Sequence, residues 1–319
     1  MKLSIVTTLY RSAPYIDEFC DRAGAVARRH VGDAYEIILV NDGSPDDSLA
    51  VASQRAQRDP HVTVVDLARN FGHHKAIMTG LQFATGAHMF LLDSDLEEEP
   101  EWLTPFWQHL DAEAADVVYG IQAVRKGNAV ERLSGPLYYR AFRYLTGIDQ
   151  PDNIVTARLM TRRYVDSLLR HTEREINIGG LWLITGYRQV THIVKKHSSS
   201  PTTYTLRHKL NNLVNGVTSF SNLPLMMIFQ AGVVISLTAV VYILYNIIVR
   251  LVSPTVPGGY TALIASIWFF SGLIVLFQGV QGIYLSKIFT EVKQRPYTIV
   301  RQVISFPTPD STSATEERV

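Results

Sequence analysis

Ala87-His88-Met89-Phe90-Leu91-Leu92-Asp93-Ser94-Asp95 is the stretch on which the fold turns. An apolar strand ends in two carboxylates one residue apart. Neighbouring side chains on a strand point to opposite faces, so residues i and i+2 point the same way. Asp93 and Asp95 can therefore reach one cation at the strand's exposed C-terminal end. Hard divalent cations take oxygen ligands and commonly bridge carboxylates to a diphosphate. Asp is also a common turn residue, so the tripeptide alone leaves an ordinary turn open.

Outward from that strand the chain alternates strands and helices. Strands are predicted at Lys2–Thr8, Glu36–Asn41, Val62–Leu67, His88–Leu92 and Asp116–Tyr119. Helices are predicted at Ser12–His30, Asp46–Arg58 and Lys75–Ala84. This spacing implies βαβ units and a Rossmann-like, mostly parallel sheet. Ligands of such sheets sit at the carboxyl ends of the strands. Thr8 and Tyr10 after the first strand, Asp42 after the second, and Asp93 and Asp95 after the fourth all fall there.

The 319 residues suffice for one large or two modest domains. A formal charge of +1 carries no field of the kind that marks a nucleic-acid binder. The lone Cys20 excludes an internal disulfide framework, fits a reducing compartment, and reads as a small buried apolar residue. The opening Met1–Thr8 is too short an apolar run for a signal peptide and reads as a strand.

The last hundred residues differ in character. Leu223–Val249 and Thr261–Ser286 contain no charged residue. Each has about 26 residues, enough to cross a hydrocarbon core of about 30 Å with some tilt. The connection between them holds Pro254, Pro257, Gly258 and Gly259. The outer flanks are basic, with Lys195, Lys196, Arg207 and Lys209 before the pair and Lys287, Lys293, Arg295 and Arg301 after it. The positive-inside rule then places the preceding domain and both termini in the cytoplasm. Leu206, Leu210, Leu213, Val214, Val217 and Phe220 recur at helical spacing, which fits a helix lying on the membrane surface or one packed on its own domain. A similar amphipathic segment is expected around Lys287–Val300, and a polar, disordered tail from Pro307. The expected division is a catalytic domain over 1–204, an interfacial helix over 205–222, a two-helix transmembrane hairpin over 223–288 and a cytoplasmic segment over 289–319.

Chemistry-bearing residues accumulate in the first domain. Asn41-Asp42-Gly43-Ser44-Pro45-Asp46-Asp47-Ser48 follows the second strand, and Asp42 can accept hydrogen bonds from a nucleobase or ribose. The same loop can serve as a turn and helix cap through Ser44 or Asp46. With this loop, Thr7-Thr8-Leu9-Tyr10, Arg69-Asn70-Phe71-Gly72 and Leu92-Asp93-Ser94-Asp95-Leu96 stand in an order and spacing that resembles the inverting glycosyltransferases of family 2, with the GT-A fold. The closest likeness is to polyprenyl-phosphate glycosyltransferases of the dolichol-phosphate mannose synthase and bactoprenol glucosyltransferase type. It extends through Val118-Tyr119-Gly120, Arg125-Lys126, Arg158-Leu159-Met160, Tyr204-Thr205-Leu206-Arg207, Ser219–Leu225 and Glu291–Pro296. These motifs are specific as a set and not singly.

The resemblance implies a nucleotide-sugar donor, a polyprenyl phosphate acceptor, a lipid bilayer, and Mg2+ or Mn2+. By it, Thr8, Tyr10, Asp42, Lys75 and Asp93 would hold the donor. Asp93 and Asp95 would bind the metal, and Glu97 stands where relatives have a Gln at the metal site. Glu97, Glu98 and Glu99 read equally well as the acidic first turn of a helix. Arg125, Arg132, Lys196 and Tyr204 would hold the acceptor phosphate, and Arg158 would join Arg125, Asp93 and Asp95 in catalysis. The acceptor is already anionic, so no general base is required; positioning and charge neutralisation suffice. Tetramers are known among related bactoprenol enzymes and are carried here as analogy.

Departures from the family pattern leave two further readings. Val155-Thr156-Ala157 replaces an acidic triplet, Gly179-Gly180 stands where relatives often have Arg-Gly, and His197–Tyr204 departs from the usual acceptor segment. The enzyme could then act on another lipid-linked acceptor. A non-catalytic membrane subunit that binds nucleotide sugars is the alternative from a different class, and the intact Asp93/Asp95 pair argues against it. His73-His74-Lys75 could contact the donor but reads rather as a solvated helix start, and no Cys/His spacing supports zinc.

Overall fold

Runs rich in Val, Ile and Leu form the centre of the sheet because strands covered on both faces must be apolar throughout. These are β1 (Leu3–Leu9), β2 (Tyr35–Asn41), β3 (Val62–Leu67) and β4 (His88–Leu91), mutually parallel in the order β4-β1-β2-β3. The computed structural model describes residues 2–122, 140, 143–147, 153–196, 214, 216–252 and 260–306.

Helices α1 (Ile16–Val31), α2 (Ser48–Arg58) and α3 (His73–Phe83) connect the parallel strands, close to the predicted bounds. One face of the sheet buries Leu3, Ile5, Leu9 and Phe90 with Phe19 and Cys20 of α1 and with Phe106 of α4 (Leu103–Ala112). Phe90 and Phe106 meet edge to face at 6.1 Å. Cys20 is buried as expected, and burial pushes its thiol up to about 12. On the other face α3 approaches closely through Gly80, where a Cβ would stand 2.6 Å from Val6 Cγ1.

The sheet is mixed, with four parallel and three antiparallel strand pairings. Its eight strands run β7-β5-β6-β4-β1-β2-β3-β8. Strand β5 (Val117–Gln122) pairs antiparallel with β6 (Ile154–Thr161), and β6 pairs antiparallel with β4. Helices α5 (Arg162–Leu168) and α6 (Ile178–Ile184) lead to β7 (Gln189–Val194), which runs parallel to β5 at one edge. At the other edge β8 (Val300–Ser305) pairs antiparallel with β3, between the expected amphipathic segment around Lys287–Val300 and the expected tail from Pro307. Thr79 and Thr298 hydroxyls share a hydrogen bond at 2.8 Å, and Arg301 reaches both the Ala68 carbonyl at 2.6 Å and Asp66 at 3.5 Å.

The described residues fall into two compact units. The sheet unit comprises 2–122, 153–196 and 295–306. The other contains α7 (Leu223–Val252) and α8 (Tyr260–Val292). Within α8, Ser266–Val292 is long and apolar enough to cross a membrane, and none of its apolar window is buried. Helix α7 covers the other expected span over Leu223–Val252, with Leu223–Ala239 as its apolar stretch among the described residues. Of the expected interfacial helix over 205–222, Val214 and residues 216–220 are helical, Ser221 and Asn222 are not, and the others lie outside the described residues.

Candidate active site

Because β1, β2, β3 and β4 are parallel, their C-terminal loops open along one edge of the sheet. Ser94 points into the protein, its hydroxyl donating to the Thr8 carbonyl at 3.0 Å and bonded to Ser12 Oγ at 2.9 Å. In the turn that follows β4, Ser94 is buried while Asp93 is half-buried and Asp95 exposed. Leu96 adopts φ +61, a left-handed conformation rare for a bulky residue, and this bend lets Asp95 Oδ1 accept the Glu97 N–H at 3.0 Å.

Glu98 closes the bend from behind. Its buried carboxylate accepts the Asp93 N–H at 3.4 Å and the Thr156 N–H at 3.0 Å, tying the end of β4 to β6. Burial and the adjacent Asp93 raise its pKa. Lys196, just past β7, places Nζ 3.3 Å from Glu97, 3.7 Å from Glu98 and 3.9 Å from Asp93. Against a desolvation that works the other way, these carboxylates raise the ammonium's pKa and keep it charged. Lys196, expected at the acceptor phosphate, thus sits among the acidic side chains.

His73 approaches Asp93 from the other side. Nδ1 bonds to Thr8 Oγ1 at 2.9 Å and Nε2 lies 3.6 Å from Asp93 Oδ1. The residue that read as a solvated helix start therefore links two of the expected donor residues. Lys75 lies half-buried in the first turn of α3, and Tyr10 is exposed at the rim.

Asp42 is not a free acceptor facing a base. It is 3% exposed, and its oxygens take the Phe71 N–H at 2.7 Å and the Gly72 N–H at 3.0 Å. Gly43 allows the two loops to touch: at φ +60 a Cβ there would stand 2.4 Å from Asn70 N. Burial raises the Asp42 pKa, and the two N–H donors oppose that rise. Asp46 organises the neighbouring turn by accepting from Ser44, Ser48 and the Ala13 N–H. Those bonds outweigh desolvation and hold its carboxyl down to about 2.

Arg158 is a core residue rather than an exposed phosphate ligand. It is 1% exposed, donates to the carbonyls of Thr156 and Val155, and stacks over the Trp182 ring. Burial lowers its pKa. Arg125, Arg132 and Tyr204 lie outside the described residues.

No three His, Cys, Asp or Glu side chains converge as a protein-only metal cage among the described residues, so Glu97 is not gathered with Asp93 and Asp95 into one. Two carboxylates still fit the other common arrangement, in which one or two carboxylates share a cation with substrate phosphates. The Lys196 ammonium shows that this pocket stabilises positive charge. Sequence reasoning missed the role of Glu98; the acidic run was visible, but the burial of Glu98 was not.

The model of glycosyl transferase family 2 matches residues 4–169, more than half of the chain. The chain belongs to glycosyltransferase family 2. It is a glycosyltransferase whose sheet is of the GT-A-like α/β kind. It is 48% identical to a protein described as "Putative glycosyltransferases" from Mycobacterium tuberculosis over 303 residues, covering 95% of this chain and 88% of the relative. It is 30% identical to an undecaprenyl-phosphate 4-deoxy-4-formamido-L-arabinose transferase of Pseudomonas aeruginosa, covering 99% and 94%. Among solved structures, glucosyl-3-phosphoglycerate synthase from Mycobacterium tuberculosis in complex with Mn2+ and uridine-diphosphate-glucose matches with TM-score 0.43 and 20% identity, over 66% of this chain and 74% of that one.

Proposed function

We propose that this family 2 enzyme transfers a sugar from a nucleoside-diphosphate donor to polyprenyl phosphate at the cytoplasmic face of a membrane. The observation that carries the reading is the pair Asp93 and Asp95, flanking the buried Ser94 at the mouth of the parallel strands. A divalent Mg2+ or Mn2+ held by this pair and by the donor diphosphate would neutralise charge on the departing nucleotide. The chain's own contribution is positional. Asp42 and Gly43 hold the loops after β2 and β3 together, and Thr8 and His73 fix the side of Asp93 that faces the donor.

The lipid acceptor is supported by the full-length similarity to a named undecaprenyl-phosphate transferase and by the apolar helices α7 and α8. The chain leaves the sheet unit before these helices and re-enters it afterwards at β8. The basic flanks on either side of the two helices support a hairpin whose ends lie in the cytoplasm. A phosphate acceptor needs no proton removed before attack, so neither His73 nor the carboxylates of the site are required as a base.

The test is transfer of radiolabel from a panel of nucleotide sugars into solvent-extractable lipid, using membranes that contain the protein and added undecaprenyl phosphate. Labelled lipid that requires Mg2+ or Mn2+ and disappears with Asp95→Ala supports the reading. Label that enters only a preformed lipid-linked saccharide moves the acceptor. Equal product with the wild type and Asp95→Ala overturns the reading.

A further inference from the structure

We infer that Lys196 is the resident cation of the acidic pocket, and that it excludes a divalent ion until the donor diphosphate arrives. The inference rests on the proposed metal-assisted transfer and adds a binding order to it. The Lys196 ammonium lies within 4 Å of three carboxylates, Asp93, Glu97 and Glu98, two of which, Asp93 and Glu97, were expected at the metal site. Lys196 is 20% exposed at its side chain and Glu98 only 1%, so water screens this cluster less than it would a surface ion pair. A divalent ion entering beside Asp93 meets a like charge already in place. At separations of about 4 Å that repulsion is large even at an effective dielectric of about 20.

The donor changes the balance because it brings its own negative charge. A diphosphate beside Asp93 and Asp95 offers oxygens to the metal and a second anionic partner to the ammonium. Lys196 can then turn from the carboxylates to a phosphate while Glu98 stays pinned to the Thr156 N–H. Lys is suited to this exchange, being a compact charge on a flexible stem with rotatable donors. Its place just past β7, on a different strand from the Asp pair, lets it move without disturbing the bend at Leu96. Metal binding and donor binding thereby become cooperative, and each ligand binds weakly alone.

The experiment is a Mn2+ titration of the full-length protein in detergent, without nucleotide, followed by electron paramagnetic resonance of free Mn2+. Repeating it with UDP present supplies a diphosphate. Lys196→Gln is expected to tighten Mn2+ binding in the absence of nucleotide by at least about tenfold. It should also shrink the enhancement that UDP gives to the wild type. Lys196→Arg, which keeps the charge, is expected to stay close to the wild type, and thermal melts report that each variant is folded. Unchanged or weaker Mn2+ binding in a folded Lys196→Gln overturns the inference, as does Lys196→Arg behaving like Lys196→Gln. If Mn2+ binds no variant with or without UDP, the metal reading of the whole site falls with it. A protein that transfers sugar yet shows no Lys196 effect on Mn2+ leaves the proposed function standing and removes only the binding order.

Discussion

Gly72 donates its backbone N–H to Asp42 Oδ2 at 3.0 Å across 30 residues of sequence, and this bond fastens the loop after β3 to the end of β2. With the Phe71 N–H on the other oxygen, one buried carboxylate holds the rim on which a donor would rest. Asp42→Ala leaves two amides without their acceptor. It is expected to lower stability by about 1–3 kcal/mol, since unpaired buried donors bear their full desolvation cost. Thermal or urea unfolding in detergent checks the stability, and a donor KM raised by more than kcat falls checks the loop. Asp42→Asn, which keeps one carbonyl oxygen, should lie between the two.

Asp95 offers the opposite profile. It is exposed, and its Oδ1 accepts the Glu97 N–H at 3.0 Å. Asp95→Asn is expected to change stability by no more than about 0.5 kcal/mol. The same change should reduce transfer by at least about a hundredfold, as loss of one electrostatic contact at a reacting centre commonly does. A matched melting curve beside a radiolabel assay separates the two effects.

Acid should reveal Asp46. Its folded carboxyl sits at about 2 against an ordinary 3.8, so the folded state favours the ionised form. The associated stability is fully present above 3.8 and is lost as pH falls through about 2. Asp46→Asn should remove that part of the pH dependence while leaving the neutral-pH activity of the Asp pair in place. Urea midpoints for both proteins at neutral pH and at pH values between those two limits provide the check; parallel curves would contradict the assignment.

Arg301 pairs with Asp66, a β3 residue whose side chain is 1% exposed and which also accepts from Asn41 at 2.8 Å. Arg301→Ala is expected to cost about 1–3 kcal/mol, because a buried carboxylate loses a charged donor and the Ala68 carbonyl loses its bond. Faster amide exchange confined to β3 and β8 would locate the damage.

The parallel centre was legible from sequence because its runs are long and apolar and its helices follow at regular intervals. Strands β1 to β4 and helices α1 to α3 appear near their expected bounds. Antiparallel β6 and edge strands β7 and β8 were not placed. Gln189–Val194 mixes half-buried and exposed positions, and Val300–Ser305 follows a long apolar helix, where neither alternation nor length separates strand from helix. In the site, alternation was expected to turn Asp93 and Asp95 one way, and the structure places them in the turn after β4, with Ser94 buried between a half-buried Asp93 and an exposed Asp95. The inward turn of Asp42, the burial of Arg158 and the seat of Lys196 depend on partners 29 to 30, 24 and about a hundred residues away, which local pattern does not report.

The return of the chain at β8 bears on how this enzyme should be handled at the bench. A fragment ended before the apolar helices would lose Val300–Ser305 and leave β3 as a bare border with open amide and carbonyl groups, a template for aggregation. Splicing residues 295–306 onto the end of the catalytic segment through a short polar linker restores that border. Such a spliced protein should elute as a single species where the plain truncation precipitates.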